Sequence, residues 1–249
     1  MIKKVEVCFT PALLPLYDIT QSIVVIIDIF RATSSICYGF HNGAQAIIPV
    51  ATVEECLSYQ KHNHLLAAER DGQVVEGFSF GNSPFSYTQE KIEGKTIVLT
   101  TTNGTHAINQ CKEHAYQIII GSFFNLDAIC NFLIKEGKDV LLLCAGWKNK
   151  FNLEDTLFAG AVAEKLKLAG YISDDAATAS RDLYDMAKSD LFAYTSKTSH
   201  SERLKKLGIE EDIKFCLKLN ITDVIPVLQG ESLVRMLYKN KRGNPKVAS

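Results

Sequence analysis

Residues 24–27 read Val-Val-Ile-Ile, four β-branched apolar residues with no polar residue between them. A strand with that pattern is covered on both faces, as strands of a parallel sheet are, and such a sheet needs helices above and below it. The rest of the chain supplies them. Apolar runs at 2–8, 46–50, 65–68, 96–99, 116–120, 140–144 and 224–228 read as strands. Most are separated by helical stretches. Thr52 with Glu55 forms a capping box that opens a helix to about Lys61, and the Leu153–Leu168 helix is followed by Gly170. The reading is an α/β fold with a largely parallel sheet. One domain over 1–249 is expected. The helix-rich stretch 174–218 is either part of it or a lid or subdomain. The basic tail from Tyr238 reads as frayed.

The apolar run at 24–27 stops at Asp28, and Arg31 follows three residues on. Ala32, Thr33, Ser34 and Ser35 then read as the first turn of a helix, with hydroxyls near amides that have no helical partner. Helix N-termini attract anions. This turn therefore offers a metal-binding or nucleophilic carboxylate, a phosphate-sized cation and hydroxyl donors, although an Asp–Arg pair that merely ties a loop would look the same. Three more strands end in related chemistry: Glu69-Arg70, the run Thr100 to Thr105, and the glycine turn after Cys144. Parallel strands place such ends along one sheet edge, where open α/β sheets bind ligands. Arginine grips phosphate oxygens with two donors at once, and Mg²⁺ takes one or two carboxylates and keeps waters.

Within 100–105, Gly104 lets the backbone approach an anion, while the threonine hydroxyls either donate to phosphate or cap a helix. Glu154 and Asp155 open the long helix, where acidic residues are favoured by the backbone dipole with or without a further role. Trp147 reads as core packing or a pocket wall. The Gly-rich passage 76–88 breaks regular structure, and Ser83-Pro84 marks a helix start. Neither GxxxxGK[ST] nor GxGxxG occurs.

A net charge of −1 argues against broad nucleic-acid or anionic-membrane binding. No apolar run approaches the roughly 20 residues of a membrane span, and no signal peptide is recognisable at Met1 onward. The seven cysteines are widely spaced with no CxxC, which reads as reduced, buried thiols in a cytoplasmic protein.

The blocks VVIIDIFRATSS (24–35), LAAERDG (66–72), GFSFGNSP (77–84), TTTNGT (100–105) and CAGWKNKFNLEDTLFAG (144–160) resemble, in order, those of the Mg²⁺-dependent 2-phosphosulfolactate phosphatases. The resemblance covers most of the first two thirds of the chain, and it implies a three-layer α/β/α fold with a largely parallel or mixed central sheet. It implies a Mg²⁺-dependent hydrolase that converts (2R)-2-phospho-3-sulfolactate to 3-sulfolactate and phosphate, a step of coenzyme M biosynthesis where that pathway exists. Carried onto this chain, it gives site roles to Asp28, Arg31, Glu69, Arg70, Asn82, Ser83, Thr101, Asn103, Glu154 and Asp155. The expected assignment is Asp28, Arg31, Asn103 and Asp155 as catalytic, and Asp28, Glu69 and Glu154 as metal-binding. Arg70, Asn82, Ser83, Thr101, Thr102 and Gly104 are expected to bind substrate, with Arg70 suited to a sulfonate or carboxylate. The alternatives are a phosphatase for another small acidic phosphoester and a non-catalytic anion- or metabolite-binding protein. Homodimer formation is left open.

Overall fold

The computed structural model describes residues 2–236, so the basic tail lies outside the described residues. The chain runs β1 (Lys4–Cys8), β2 (Ser22–Ile27), α1 (Ala32–His41), β3 (Ala46–Pro49), α2 (Val53–Ser58), β4 (Leu65–Arg70), β5 (Gln73–Val74), α3 (Gln89–Ile92) and β6 (Thr96–Thr100). It continues through α4 (Gly104–Cys111), β7 (Gln117–Gly121), α5 (Leu126–Glu136), β8 (Asp139–Cys144), α6 (Leu153–Leu168), β9 (Ile172–Ser173), α7 (Asp175–Ala187) and α8 (Leu191–Thr195). The last elements are α9 (Ser199–Lys206), α10 (Glu210–Cys216), β10 (Pro226–Gln229) and β11 (Ser232–Arg235).

Among the described residues the strands form one mixed sheet of 11, ordered β5-β4-β6-β3-β11-β10-β7-β2-β8-β1-β9. β2 lies between β7 and β8, parallel to both, with Val25 facing Ile119 on one side and Leu142 on the other. All six of its residues are buried, as the unbroken apolar run requires. The hairpin β10–β11 is the antiparallel element at the centre, pairing with β7 on one side and β3 on the other.

Side chains alternate between the two faces of each strand, and the core divides accordingly. Val24 and Ile26 of β2, Ile97 and Leu99 of β6 and Ala67 of β4 join α1 and α4 in one cluster. Ile23, Val25 and Ile27 join α5, α6 and α7 in a second. Val98 of β6 packs with Val50 and Cys56 in a third, small cluster beside α2. The sheet therefore has helices on both faces, and strands from both ends of the strand order meet on α1 and α4.

Local signals hold well. Thr52 accepts from the amide of Glu55 at 3.0 Å, and α5 ends on Gly137 with φ +64°. α7 lies so close to α6 that a Cβ on Gly160 would fall 2.1 Å from the Ser180 carbonyl oxygen. Residues 175–187 are thereby packed on the main body. The helix expected after Ser83 is shorter: Pro84–Ser86 form a single 3₁₀ turn, and regular helix returns only at α3. No helix among the described residues is long and apolar enough to cross a membrane. The seven thiols are free and buried.

Candidate active site

The carboxyl ends of β2, β4, β6 and β8 bring their polar turns together around the first turns of α1 and α4. The contact is close. A Cβ on Gly104 would lie 2.7 Å from the Ala32 methyl and 2.9 Å from Asp28 Oδ2. Only glycine allows the head of α4 to meet the head of α1 with the Asp28 carboxylate beside the join. The two helix ends present like partial positive charge, so an anion is favoured where they meet.

The hydroxyls of this region hold backbone in place. Thr33 Oγ1 accepts from the Asp28 amide at 3.0 Å, Ser34 donates to the Ile29 carbonyl at 3.0 Å, and Ser35 donates to the Asn82 carbonyl. Thr101 and Thr105 cap each other: the Thr105 amide donates to Thr101 Oγ1 at 3.2 Å and the Thr101 amide to Thr105 Oγ1 at 3.1 Å. The capping reading of these threonines is the one the hydrogen bonds follow.

Four carboxylates are buried here. Asp155 accepts from the amides of Ile29 (2.9 Å) and Gly146 (3.0 Å), so both of its oxygens tie the loops after β2 and β8 to α6. Glu69 accepts from the Gly72 amide at 2.5 Å and the Thr102 amide at 3.1 Å, joining the turn after β4 to the turn after β6. Two oxygens remain without such bonds among the described residues: Asp28 Oδ2, and Glu154 Oε2, which is buried with no partner. Burial, then repulsion by Glu69, pushes the Asp28 carboxyl up to about 7. Asp155 is raised well above the carboxylate range by burial, then by Glu154 and Asp28. A buried cluster of this kind is incomplete without positive charge.

Part of that charge comes from Arg31, as expected, and part from α9, whose His200 and Arg203 no pattern in the sequence marked; Asp212 of α10, which holds Arg31, was likewise unmarked. Arg31 lies in the loop before α1, and its Nη1 donates to Asp212 Oδ1 of α10 at 2.6 Å while Nη2 donates to the Gly72 carbonyl at 2.7 Å. His200 of α9 meets Glu154 Oε1 through Nδ1 at 2.5 Å and stacks on the Trp147 indole with ring centroids 5.9 Å apart. One turn on, the Arg203 guanidinium lies 3.8 Å over the same indole. Trp147 is thus a half-buried wall of the site. Asn103 accepts from the Lys148 amide at 3.2 Å, which fixes the Trp147 turn against α4. Beside Arg31, a cavity of about 240 Å³ is lined by Gly72, Val74, Asn82, Ser83 and Leu207. Asn82 Oδ1 is buried with no hydrogen-bond partner. Cavities of about 500 and 870 Å³ elsewhere, by Tyr17 and His114 and by Tyr116 and Arg235, hold none of these side chains.

Residues 8–231 match the model of the 2-phosphosulpholactate phosphatase family. The chain belongs to that family. A probable 2-phosphosulfolactate phosphatase of Caldanaerobacter subterraneus subsp. tengcongensis is 42% identical over 218 residues, covering 86% of this chain and 90% of that one. One from Thermotoga maritima is 43% identical over 204 residues (82% and 88%), and one from Clostridium botulinum strain Alaska E43 is 34% identical over 224 residues (88% and 93%). The 2-phosphosulpholactate phosphatases are phosphoric monoester hydrolases, which accords with an anion site built beside buried carboxylates.

Of the residues expected in a phosphosulfolactate phosphatase site, the structure gathers Asp28, Arg31, Glu69, Thr101, Thr102, Asn103, Gly104, Glu154 and Asp155. Asn82 and Ser83 border the Arg31 cavity. Arg70 is the exception. It follows Glu69 on β4, so alternation sends it to the opposite sheet face, and it donates to its neighbour's carbonyl and to Thr100 Oγ1 at 3.0 Å. The Cys144 thiol is buried and pushed well above its ordinary value by that burial, which removes it as a nucleophile.

Magnesium fits the donors present. They are hard carboxylate oxygens, two of which lack partners, and the cluster carries mutual repulsion that a cation relieves. Among the described residues no three His, Cys, Asp or Glu side chains are arranged to enclose an ion. Asp28, with Glu154 Oε2, would hold one at few protein contacts, which is the manner of Mg²⁺.

Proposed function

We propose that this protein is a Mg²⁺-dependent phosphatase that hydrolyses (2R)-2-phospho-3-sulfolactate to 3-sulfolactate and phosphate. The observation that carries the reading is the glycine-only contact between the heads of α1 and α4 beside Asp28. The phosphoryl group binds at the two helix N-termini, with Arg31 gripping its oxygens through the donors left after Asp212 and Gly72. Asp28 and Glu154 would hold Mg²⁺, which when bound would supply charge neutralisation for the transferring phosphoryl group. Water attacks in line. Asp28 lacks the DxDx[TV] pattern of phosphoenzyme-forming carboxylates, because Phe30 stands two residues on. His200, anchored at Nδ1 by Glu154, presents Nε2 to give a proton to the leaving alkoxide. Trp147 and α9 exclude water from one side.

The test is phosphate release from racemic 2-phosphosulfolactate beside phospholactate, phosphoglycolate and p-nitrophenyl phosphate, with Mg²⁺ and with EDTA. Strong Mg²⁺-dependent preference for phosphosulfolactate is expected. Release only from the others would keep the phosphatase and discard this substrate. Folded, Mg²⁺-supplied protein that releases phosphate from none of them would leave an anion-binding protein instead.

A further inference from the structure

The three arginines near these turns differ in what neutralises them. Arg31 is paired with Asp212 at 2.6 Å. Arg70 lies on the far sheet face, donating to a carbonyl and a hydroxyl. Arg203 has no carboxylate partner among the described residues. Its one hydrogen bond is a long one, 3.3 Å from Nη1 to the Asp71 carbonyl, and its flat face rests on Trp147. Burial lowers its pKa from the ordinary value, against the attraction of Glu69, Asp71 and Glu154. A half-buried guanidinium held by stacking, with most of its donors unused, is ready for an anion that is not part of the protein.

Its position relative to Arg31 sets which anion. Arg203 donates to the carbonyl of Asp71, and Arg31 to the carbonyl of Gly72. The two guanidinium groups are therefore docked on adjacent carbonyls of one turn, whose α-carbons are only about 3.8 Å apart. Arg203 feels the charge of Glu69 and Glu154, and the Gly72 that accepts from Arg31 gives its own amide to Glu69. A pair of cations so placed matches a small molecule with acid groups on neighbouring carbons.

We infer that Arg203, held flat on Trp147, is the specificity-determining residue that binds the second acid group, sulfonate or carboxylate, of a phosphoester whose phosphate is held at Arg31. The inference rests on the phosphatase reading above and gives α9 the role that the sequence suggested for Arg70. Stacking on Trp147 fixes the fork before substrate arrives, so less side-chain entropy is lost on binding. A monoacidic phosphoester would leave Arg203 unused.

Two measurements on Arg203→Gln and Arg203→Lys test it. In kinetics, the ratio of kcat/KM for 2-phosphosulfolactate to kcat/KM for p-nitrophenyl phosphate should fall at least 30-fold in Arg203→Gln, mainly through KM. Arg203→Lys should recover part of the loss, because charge returns without the fork. In calorimetry, Arg203→Gln should lose binding of 3-sulfolactate and keep binding of inorganic phosphate. An unchanged ratio with sulfolactate still bound would overturn the assignment. So would loss of both ligands together, which would mark Arg203 as structural. Wild-type protein that binds sulfolactate in an Arg203-dependent way, yet hydrolyses no phosphoester, would overturn the proposed reaction and leave this subsite standing.

Discussion

Arg31 Nη1 lies 2.6 Å from Asp212 Oδ1, so a residue at the head of the first helix is neutralised by one 181 positions later. Both side chains are buried. Removing one partner of such a pair leaves a buried charge, a cost of roughly 3–5 kcal/mol, whereas replacing both with apolar groups is often neutral. Asp212→Leu should therefore lower Tm by about 6–20 °C in a protein of this size. The double variant Arg31→Met/Asp212→Leu should recover most of that loss while remaining inactive. Arg31→Lys should cut turnover sharply through loss of the fork. Wild-type rates in Arg31→Lys, or additive Tm losses in the double variant, would contradict this account.

Asp28 gives a pH signature. Its carboxyl titrates near 7 in the folded protein because it is buried and faces Glu69. Below the ordinary carboxylate value of about 3.9, both folded and unfolded chains hold the proton and Asp28 costs nothing. Between there and about 7 the unfolded chain ionises while the folded one resists, so folding stability contributed by this group falls as pH rises. Each tenfold change in proton affinity is worth about 1.4 kcal/mol. Asp28→Asn should therefore raise Tm more at pH 8 than at pH 5, in EDTA, while abolishing turnover. Mg²⁺ should raise the wild-type Tm at pH 8 and do less for the variant. Equal gains at both pH values would refute the assignment.

Gly104→Ala should be costly out of proportion to one methyl group. Its Cβ would meet Ala32 and Asp28 well inside contact distance. Overpacking of this kind costs typically 1–3 kcal/mol and would push the heads of α1 and α4 apart. The expected outcome is a fall of at least 100-fold in kcat/KM with the protein still folded by circular dichroism. Near-normal activity would show that the helix ends do not cradle the phosphate.

Arg70→Gln should do little to catalysis, because the guanidinium donates to Thr100 on the face away from Asp28. A change in kcat/KM of less than about threefold, with a stability loss near 1 kcal/mol for the missing hydrogen bonds, is expected. A selective loss on phosphosulfolactate would return the second-acid role to Arg70.

What could be read in the sequence follows the range over which each signal acts. β2 and its terminal Asp28 were legible because four consecutive β-branched residues and one carboxylate are a local pattern. The Thr52–Glu55 capping box was legible for the same reason. The separation of Glu69 from Arg70 was legible too: neighbours on a strand face opposite ways, and the family-level reading of both as site residues passed over that rule. β11 is four residues long and reads as a strand only once β3 and β10 lie on either side. His200, Arg203 and Asp212 sit on short, mostly polar helices, where a lone histidine, arginine or aspartate reads as solvated surface. Their meaning comes from partners at Glu154, Trp147 and Arg31, contacts that no spacing along the chain encodes.

Among the described residues the hairpin β10–β11 comes after every other strand in the chain, yet it sits in the middle of the sheet, between β3 and β7. A ribosome that has released everything up to residue 225 has therefore produced two half-sheets with no strand to join them. Each half exposes an open strand edge, the kind of surface that pairs with whatever chain is near. Until residues 226–235 close that gap, the nascent chain holds all five motif blocks in a form prone to stick to its neighbours. Chaperone dependence should thus hang on the final hairpin far more than on any residue that touches substrate.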